Sequence, residues 1–177
     1  MQRCPHLYKL RLYGKMTALP KELPNLTKLT LEYTRLKGDQ IEILEKLPNL
    51  RVLCLTWDSF EAETMVFSQG GFPHLEFLTL EGLHDLKEWR VEKEVMPSLQ
   101  RLRIHYCKKL RAVPDGLQDI TTLKEITIDG MPSRFCSRVG EGGEDFYRIK
   151  HVPSLIITNI LDSVEKDEEP EMEEADD

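Results

Sequence analysis

One pattern recurs six times along the chain and restricts its fold more than any other feature. Five units open with proline followed two residues later by leucine, and the sixth opens with Thr121 in place of proline. Successive openings lie 19, 24, 25, 24 and 24 residues apart. Each leads into the spacing L-x-x-L-x-L, through Leu7/Leu10/Leu12, Leu26/Leu29/Leu31, Leu50/Leu53/Leu55, Leu75/Leu78/Leu80, Leu99/Leu102/Ile104 and Leu123/Ile126/Ile128. A period of this length predicts a solenoid of stacked units.

The L-x-L step of each unit has a period of two residues, which predicts a short strand with both leucines on one face. One strand cannot bury such a face, but stacked units bury a continuous leucine column and pair their strands in parallel. We therefore predict an α/β solenoid, a leucine-rich-repeat horseshoe with a parallel β-sheet on its concave face. Residues 1–160 are expected to form this domain, with about six repeats and a degenerate closing strand within residues 151–157.

The segments that return the chain between strands differ from unit to unit. Ile41, Leu44 and Leu47 lie three residues apart and predict a short helix within residues 36–47, with Asp39 as its N-cap. Residues 111–117 predict a turn, and residues 140–145 a glycine-containing surface loop. The convex side should therefore mix short helices with irregular coil.

The negative charge of the chain is concentrated in its last residues. Residues 162–177 include ten acidic residues and one lysine, so they carry −9, whereas the net charge of the whole chain is −7 and the remainder carries +2. This distribution argues against a nucleic-acid partner, which would require a clustered basic excess. Residues 161–177 are expected to form a disordered acidic tail, since they lack aromatic residues and are dense in like charge.

Cellular location is predicted from signals that the sequence lacks. Its apolar stretches are too short to span a bilayer, and its first residues do not resemble a signal peptide. The four cysteines form no C-x-x-C pair, which favours free thiols in a reducing compartment. We expect a cytoplasmic protein, with the nucleus as an alternative.

Candidate catalytic and metal-binding residues have simpler structural interpretations. His105 and Cys107 lack further ligands at a spacing that suits a metal, and Cys107 occupies a repeat position where a buried side chain bonds to the backbone of the bending loop. Cys54 has no identifiable catalytic partner, and the acidic residues of the 140–145 loop do not alternate as a calcium loop requires. We predict no enzyme activity, no cofactor and no metal site.

The residues between the strand leucines should face the concave side and form columns across the sheet. Val52, Phe77 and Trp57 are expected to be exposed apolar groups there, unless loops fold over them. Large aromatic side chains and arginine are common anchors of protein interfaces. The predicted partner-binding residues are Lys9, Arg11, Tyr13, Lys28, Tyr33, Val52, Trp57, Phe77, Arg101, Arg103 and His105.

Several phrases of the sequence are typical of one protein family. They include residues 67–75 (FSQGGFPHL), 87–89 (KEW), 96–99 (MPSL), 107–110 (CKKL), 113–117 (VPDGL), 121–125 (TTLKE), 142–147 (GGEDFY) and 151–154 (HVPS). In this order they resemble the C-terminal repeats of plant nucleotide-binding leucine-rich-repeat immune receptors of the coiled-coil class. The resemblance implies recognition of a pathogen effector or a guarded host protein, together with autoinhibition of the receptor.

The resemblance does not extend to nucleotide chemistry. In that family an upstream nucleotide-binding domain performs the ATP/ADP switch, and this chain has no G-x-x-x-x-G-K-[ST] phosphate loop. If the chain is a fragment, the upstream domain is a further expected partner. A fragment is favoured by the first unit, which begins at Pro5 in full register without a polar capping unit before it. An alternative function is a stand-alone adaptor, such as the substrate-binding arm of a ubiquitin ligase.

Overall fold

Seven parallel strands form the main sheet of the protein. The computed structural model describes residues 6–20 and 23–158. The strands of the main sheet, in spatial order, are β1 (Lys9–Tyr13), β2 (Lys28–Glu32), β3 (Val52–Thr56), β5 (Phe77–Glu81), β7 (Arg101–His105), β8 (Glu125–Asp129) and β9 (Ser154–Thr158). The predicted leucine-rich-repeat solenoid is confirmed, including its closing strand β9.

The register of the sheet places equivalent leucines beside one another. Leu29 pairs with Leu53, Leu53 with Leu78, and Leu78 with Leu102. These leucines are buried, whereas Leu10 and Leu12 of β1 are only half-buried. Strand β1 has a single neighbour, β2, within the described part of the chain. The leucine column is therefore only half-buried at both ends of the described sheet, since Leu155 and Ile157 of β9 are half-buried as well.

The convex side contains both helices and a small second sheet. Helix α1 spans Gly38–Glu45 and helix α2 spans Ser133–Val139, and short 3-10 helices span Asp115–Asp119 and Phe146–Arg148. Strands β4 (Thr64–Phe67) and β6 (Glu88–Val91) pair in parallel, a second sheet that the repeat pattern did not reveal. The predicted mixture of helix and coil is otherwise present, with the turn at residues 111–117 continuing into the first 3-10 helix.

Two local predictions on this side need correction. Helix α1 begins one residue before Asp39, at Gly38, and Lys37 occupies the N-cap position without a side-chain cap hydrogen bond. The Asp39 carboxylate instead accepts a hydrogen bond from Gln40 Nε2 at 3.0 Å. The loop at residues 140–145 is only partly a surface loop, because Asp145 is buried and accepts hydrogen bonds from Arg138 Nε and Nη2 at 2.8 and 2.9 Å.

The openings of the units are joined by side chains that the sequence analysis did not consider. Asn49 Nδ2 donates to the carbonyl of Pro24 at 2.8 Å, and Thr122 Oγ1 donates to that of Pro97 at 3.0 Å. Ser98 Oγ makes the equivalent contact with Pro73 at 3.3 Å. The polar residue after the opening position therefore bonds to the proline of the preceding unit, which fixes the stacking of neighbouring repeats.

Three predictions concern residues outside the described ranges. The acidic tail, the start of the first unit at Pro5 and the end of the predicted domain at residues 159–160 lie outside the described residues. Among the residues that are described, no helix is long and apolar enough to cross a membrane.

Candidate protein-binding face

The residues between the strand leucines form straight columns across the main sheet. Lys9, Lys28, Val52, Phe77 and Arg101 are successive register partners, and so form the first column. Neighbouring strands lie about 4.8 Å apart, so adjacent side chains of a column are close enough to touch. Lysines occupy one end of this column, two apolar residues its middle, and arginine follows them.

The expected exposure of Val52, Phe77 and Trp57 is wrong, because all three are half-buried. The Trp57 ring is partly covered by residues outside the strands, since its centroid lies 6.3 Å from those of His84 and Tyr106. The guanidinium carbon of Arg101 lies 5.4 Å from the centroid of the Phe77 ring, so a neighbour in the same column covers part of that ring. Such a cation–π contact also holds the arginine over the face.

The residue that follows each of the first six main-sheet strands adopts a positive φ. Each of these positions holds either a glycine or an aromatic residue: Gly14 (φ 90°), Tyr33 (55°), Trp57 (44°), Gly82 (59°), Tyr106 (49°) and Gly130 (58°). Glycine adopts this conformation readily, whereas other residues do so at a cost. Backbone strain at three bulky aromatic residues in equivalent positions marks this edge of the sheet as a candidate functional site.

Two of the glycines make room for the aromatic ring of the preceding unit. A Cβ added to Gly82 would lie 2.6 Å from Cε3 of Trp57, and one added to Gly130 would lie 2.3 Å from Cε1 of Tyr106. The Trp57 ring thus extends across Gly82 and stacks on Tyr106, with centroids 6.3 Å apart and an interplanar angle of 20°. We call Tyr33, Trp57 and Tyr106 the aromatic shelf.

The shelf continues toward the first strands. Tyr13 and Tyr33 make an edge-to-face contact with centroids 5.4 Å apart, and Tyr13 is 73% exposed. Arg11 forms an ion pair with Glu32, and this hydrogen bond raises the pKa of the Arg11 guanidinium above its ordinary value. Exposed tyrosines at this end therefore lie beside a basic residue whose charge is already paired.

The other end of the predicted site also carries exposed cations. Arg101 and Arg103 are both exposed on β7. His105 is half-buried between its register partners Glu81 and Asp129. Together with the aromatic shelf, this end of the concave face combines basic, aromatic and apolar groups over neighbouring strands.

Comparison with known proteins identifies the architecture. A family model described as "Leucine-rich repeat region" matches residues 2–155. The chain belongs to the leucine-rich-repeat family. The leucine columns, the parallel strands and the curved backbone after each strand are the features of this repeat.

Relatives of this leucine-rich-repeat chain carry disease-resistance names. It is 40% identical over 157 residues to "Disease resistance protein RPP8" of Arabidopsis thaliana, which covers 87% of this chain and 17% of that protein. It is 43% identical over 131 residues to "Putative disease resistance protein At1g59780" of the same species, covering 74% of this chain and 14% of that protein. "Disease susceptibility protein LOV1" of Arabidopsis thaliana is 40% identical over 159 residues, or 88% of this chain and 17% of that protein.

These matches confirm the resemblance to plant disease-resistance proteins. The chain spans less than a fifth of the length of the relatives, as its 17% share of the first of them shows. The similarity therefore covers only one part of much longer proteins.

Cys107 has the structural role predicted from its place in the leucine-rich repeat. Its thiol is buried and donates to the carbonyl oxygens of His105 at 3.3 Å and Leu80 at 3.7 Å. Burial raises the pKa of this thiol to about 12, so it stays protonated at neutral pH. Within residues 6–20 and 23–158, no three His, Cys, Asp or Glu side chains are grouped to hold a metal ion.

Proposed function

We propose that this leucine-rich-repeat region is the protein-recognition module of a plant intracellular immune receptor. Its ligand is a pathogen effector or a host protein that an effector alters, and the same region holds the receptor inactive until recognition. The disease-resistance names of the relatives favour this function over a stand-alone adaptor. We further propose that the protein acts in the cytoplasm, with an upstream nucleotide-binding domain as its intramolecular partner.

The aromatic shelf is the observation that supports a binding role for the concave face. Tyr33, Trp57 and Tyr106 keep strained positive φ angles at a position that is glycine in three other units. Their rings present flat apolar area after the strand ends, and Phe77, Arg101 and Arg103 lie nearer the starts of the strands in the same sheet. Aromatic residues and arginine dominate the binding energy of protein interfaces, so we assign partner contact to this set and to the remaining predicted residues of the face.

Two alanine variants and one control test this assignment. Trp57→Ala and Phe77→Ala remove half-buried rings from the face, while Tyr147→Ala removes a 48% exposed ring from the convex side. Each variant is fused to a biotin ligase and expressed in plant tissue with and without pathogen, so that proteins near the chain become biotinylated. Candidate partners are proteins that the parent and Tyr147→Ala biotinylate strongly and that Trp57→Ala and Phe77→Ala biotinylate less.

The affinity of the purified pair then decides the proposal. Trp57→Ala and Phe77→Ala should each weaken binding by about 1–3 kcal/mol, whereas Tyr147→Ala should bind like the parent. Circular dichroism and urea unfolding establish that each variant is folded. If both face variants bind with the parental affinity, the concave face is not the recognition surface.

A further inference from the structure

Five basic side chains line one open depression at the side of the solenoid. The depression has a volume of about 360 Å³ and is lined by Lys87, Lys109, Arg111, Arg134 and Arg138, which we call the basic edge. These residues come from three neighbouring units, in the segments that follow β5, β7 and β8. No acidic residue lines the same depression.

Local acidic residues neutralise only part of this charge. Lys109 pairs with Asp85 at 3.0 Å, Lys87 pairs with Glu63, and Arg138 pairs with Glu144 and Asp145. Arg111 and Arg134 are exposed and make no ion pair within residues 6–20 and 23–158. The basic edge therefore has two arginines available to an acidic ligand.

The topology of the sheet brings the acidic end of the chain to the same side. In a parallel sheet all strands end at one edge, so the chain leaves β9 at the edge where the segments after β7 and β8 begin. The carbonyl of Thr158, the last described residue, accepts a hydrogen bond from the amide of Gly130 at 3.3 Å. Gly130 lies only four positions before Arg134 in the sequence.

The distances along and across the sheet are compatible with contact. Asp162, the first acidic residue of the segment, is four positions after Thr158, a separation over which a polypeptide can span up to about 13 Å. The strands β7 and β9 are two positions apart in the sheet, a separation of about 10 Å. The lysines of β1 and β2 are at the far end of the sheet, where β1 is about 29 Å from β9.

We propose that residues 162–177 bind the basic edge of the same chain. The segment carries −9 and the rest of the chain +2, so attraction is expected between them. Contact through charge requires no fixed conformation of the segment. The short tether keeps its carboxylates at a high local concentration near the edge. The segment thereby excludes other acidic ligands from Arg111 and Arg134.

Zero-length carbodiimide cross-linking of the full chain tests this contact. The reagent joins a carboxylate to a lysine amine that touches it, and mass spectrometry identifies the pair. Lys87 and Lys109 report the basic edge, and the exposed Lys108 lies beside it; Lys9 and Lys28 report the far end of the sheet. A mixture of ¹⁵N-labelled and unlabelled protein separates links within one chain from links between chains.

The charge-reversal variant R111E/R134E keeps every reporter lysine, and K9E/K28E makes the same change in net charge at the far end. Within one chain of the parent, links from residues 162–177 to the edge lysines should exceed links to Lys9 and Lys28 by roughly tenfold. R111E/R134E should remove this excess, whereas K9E/K28E, which lacks the two far-end reporters, should keep the parental intensity of the edge links relative to the link between Lys109 and Asp85. In the parent, 1 M NaCl should also remove the excess, since the Debye length is then about 3 Å.

Three results would overturn the proposal. They are an absence of links from residues 162–177, links distributed evenly over the exposed lysines, and links to the edge lysines that persist in R111E/R134E. The last result would mean that Arg111 and Arg134 do not bind the segment. Links between Lys109 and Asp85, which lie 3.0 Å apart in the fold, serve as the internal reference that the reaction and the folded structure are intact. None of these outcomes depends on the proposed recognition function.

Discussion

Replacing Gly82 with alanine tests whether this glycine allows Trp57 to stack on Tyr106. The new Cβ would lie 2.6 Å from Cε3 of Trp57, well inside normal contact distance, so the ring has to move. Alanine at φ +59° also costs about 1–2 kcal/mol of backbone free energy. Loss of the stacked pair adds about 0.5–1.5 kcal/mol, so the free energy of unfolding should fall by about 1.5–3.5 kcal/mol in total.

Gly14→Ala is a matched control for the backbone part of this effect. Gly14 occupies the equivalent position after β1, has a φ of +90° and would have no atom within 4 Å of an added Cβ. Both variants should therefore be destabilised in urea unfolding. Only Gly82→Ala should displace Trp57 and the aromatic shelf.

Tryptophan fluorescence separates the two variants. The chain has two tryptophans, of which Trp89 is buried and Trp57 is half-buried, so acrylamide quenching reports mainly on Trp57. Gly82→Ala should increase the quenchable fraction and shift the emission to longer wavelength, while Gly14→Ala should leave both unchanged. If Gly82→Ala unfolds at the parental urea midpoint with unaltered quenching, the glycine does not support the shelf.

Two further predictions concern the core and its protection. Leu78→Ala should lower the free energy of unfolding by about 2–5 kcal/mol. Leu10→Ala should lower it by less than half as much, because Leu10 is only half-buried. Similar urea midpoints for the two variants would contradict this prediction. Backbone amides of β1 should exchange with deuterium much faster than those of β5, and equal protection in a monomeric sample would show that the first strand is fully covered. Cys107 supplies a pH prediction. Its pKa is raised to about 12 in the fold, so the folded state binds the thiol proton more tightly, and stability should be constant below about pH 8.5 and fall as pH rises toward 12. Cys107→Ala should unfold more easily at neutral pH but lose this slope, and an unchanged slope would assign the alkaline effect to another group.

The exposure of the concave face shows where prediction from sequence failed. Alternation along each strand correctly placed Val52 and Phe77 outside the leucine core. It did not show that Arg101 from the next unit covers the Phe77 ring, because that contact joins residues 24 positions apart. The glycine or aromatic residue after each of the first six main-sheet strands was visible in the sequence, but its meaning depends on how far each ring extends across the neighbouring unit.

The short second sheet and the basic edge show the same dependence on stacking. Residues 64–67 and 88–91 have no leucine spacing that marks them as strands, and β4 and β6 form because the main sheet holds two return segments in register. Lys87, Arg111 and Arg134 come from three different units and are unremarkable in the sequence. Only the superposition of units places them in one depression.

The sequence by itself determined the repeat, the parallel main sheet, the leucine core and the structural role of Cys107. Each follows from the local period of a unit and from the need to bury an apolar face that one strand cannot bury alone. Tertiary structure decided the aromatic stacking across Gly82 and the half-burial of Phe77, which are contacts between units, and the ion pair of the buried Asp145 with Arg138. These depend on the direction and reach of individual side chains, which the spacing of residues along the chain does not specify.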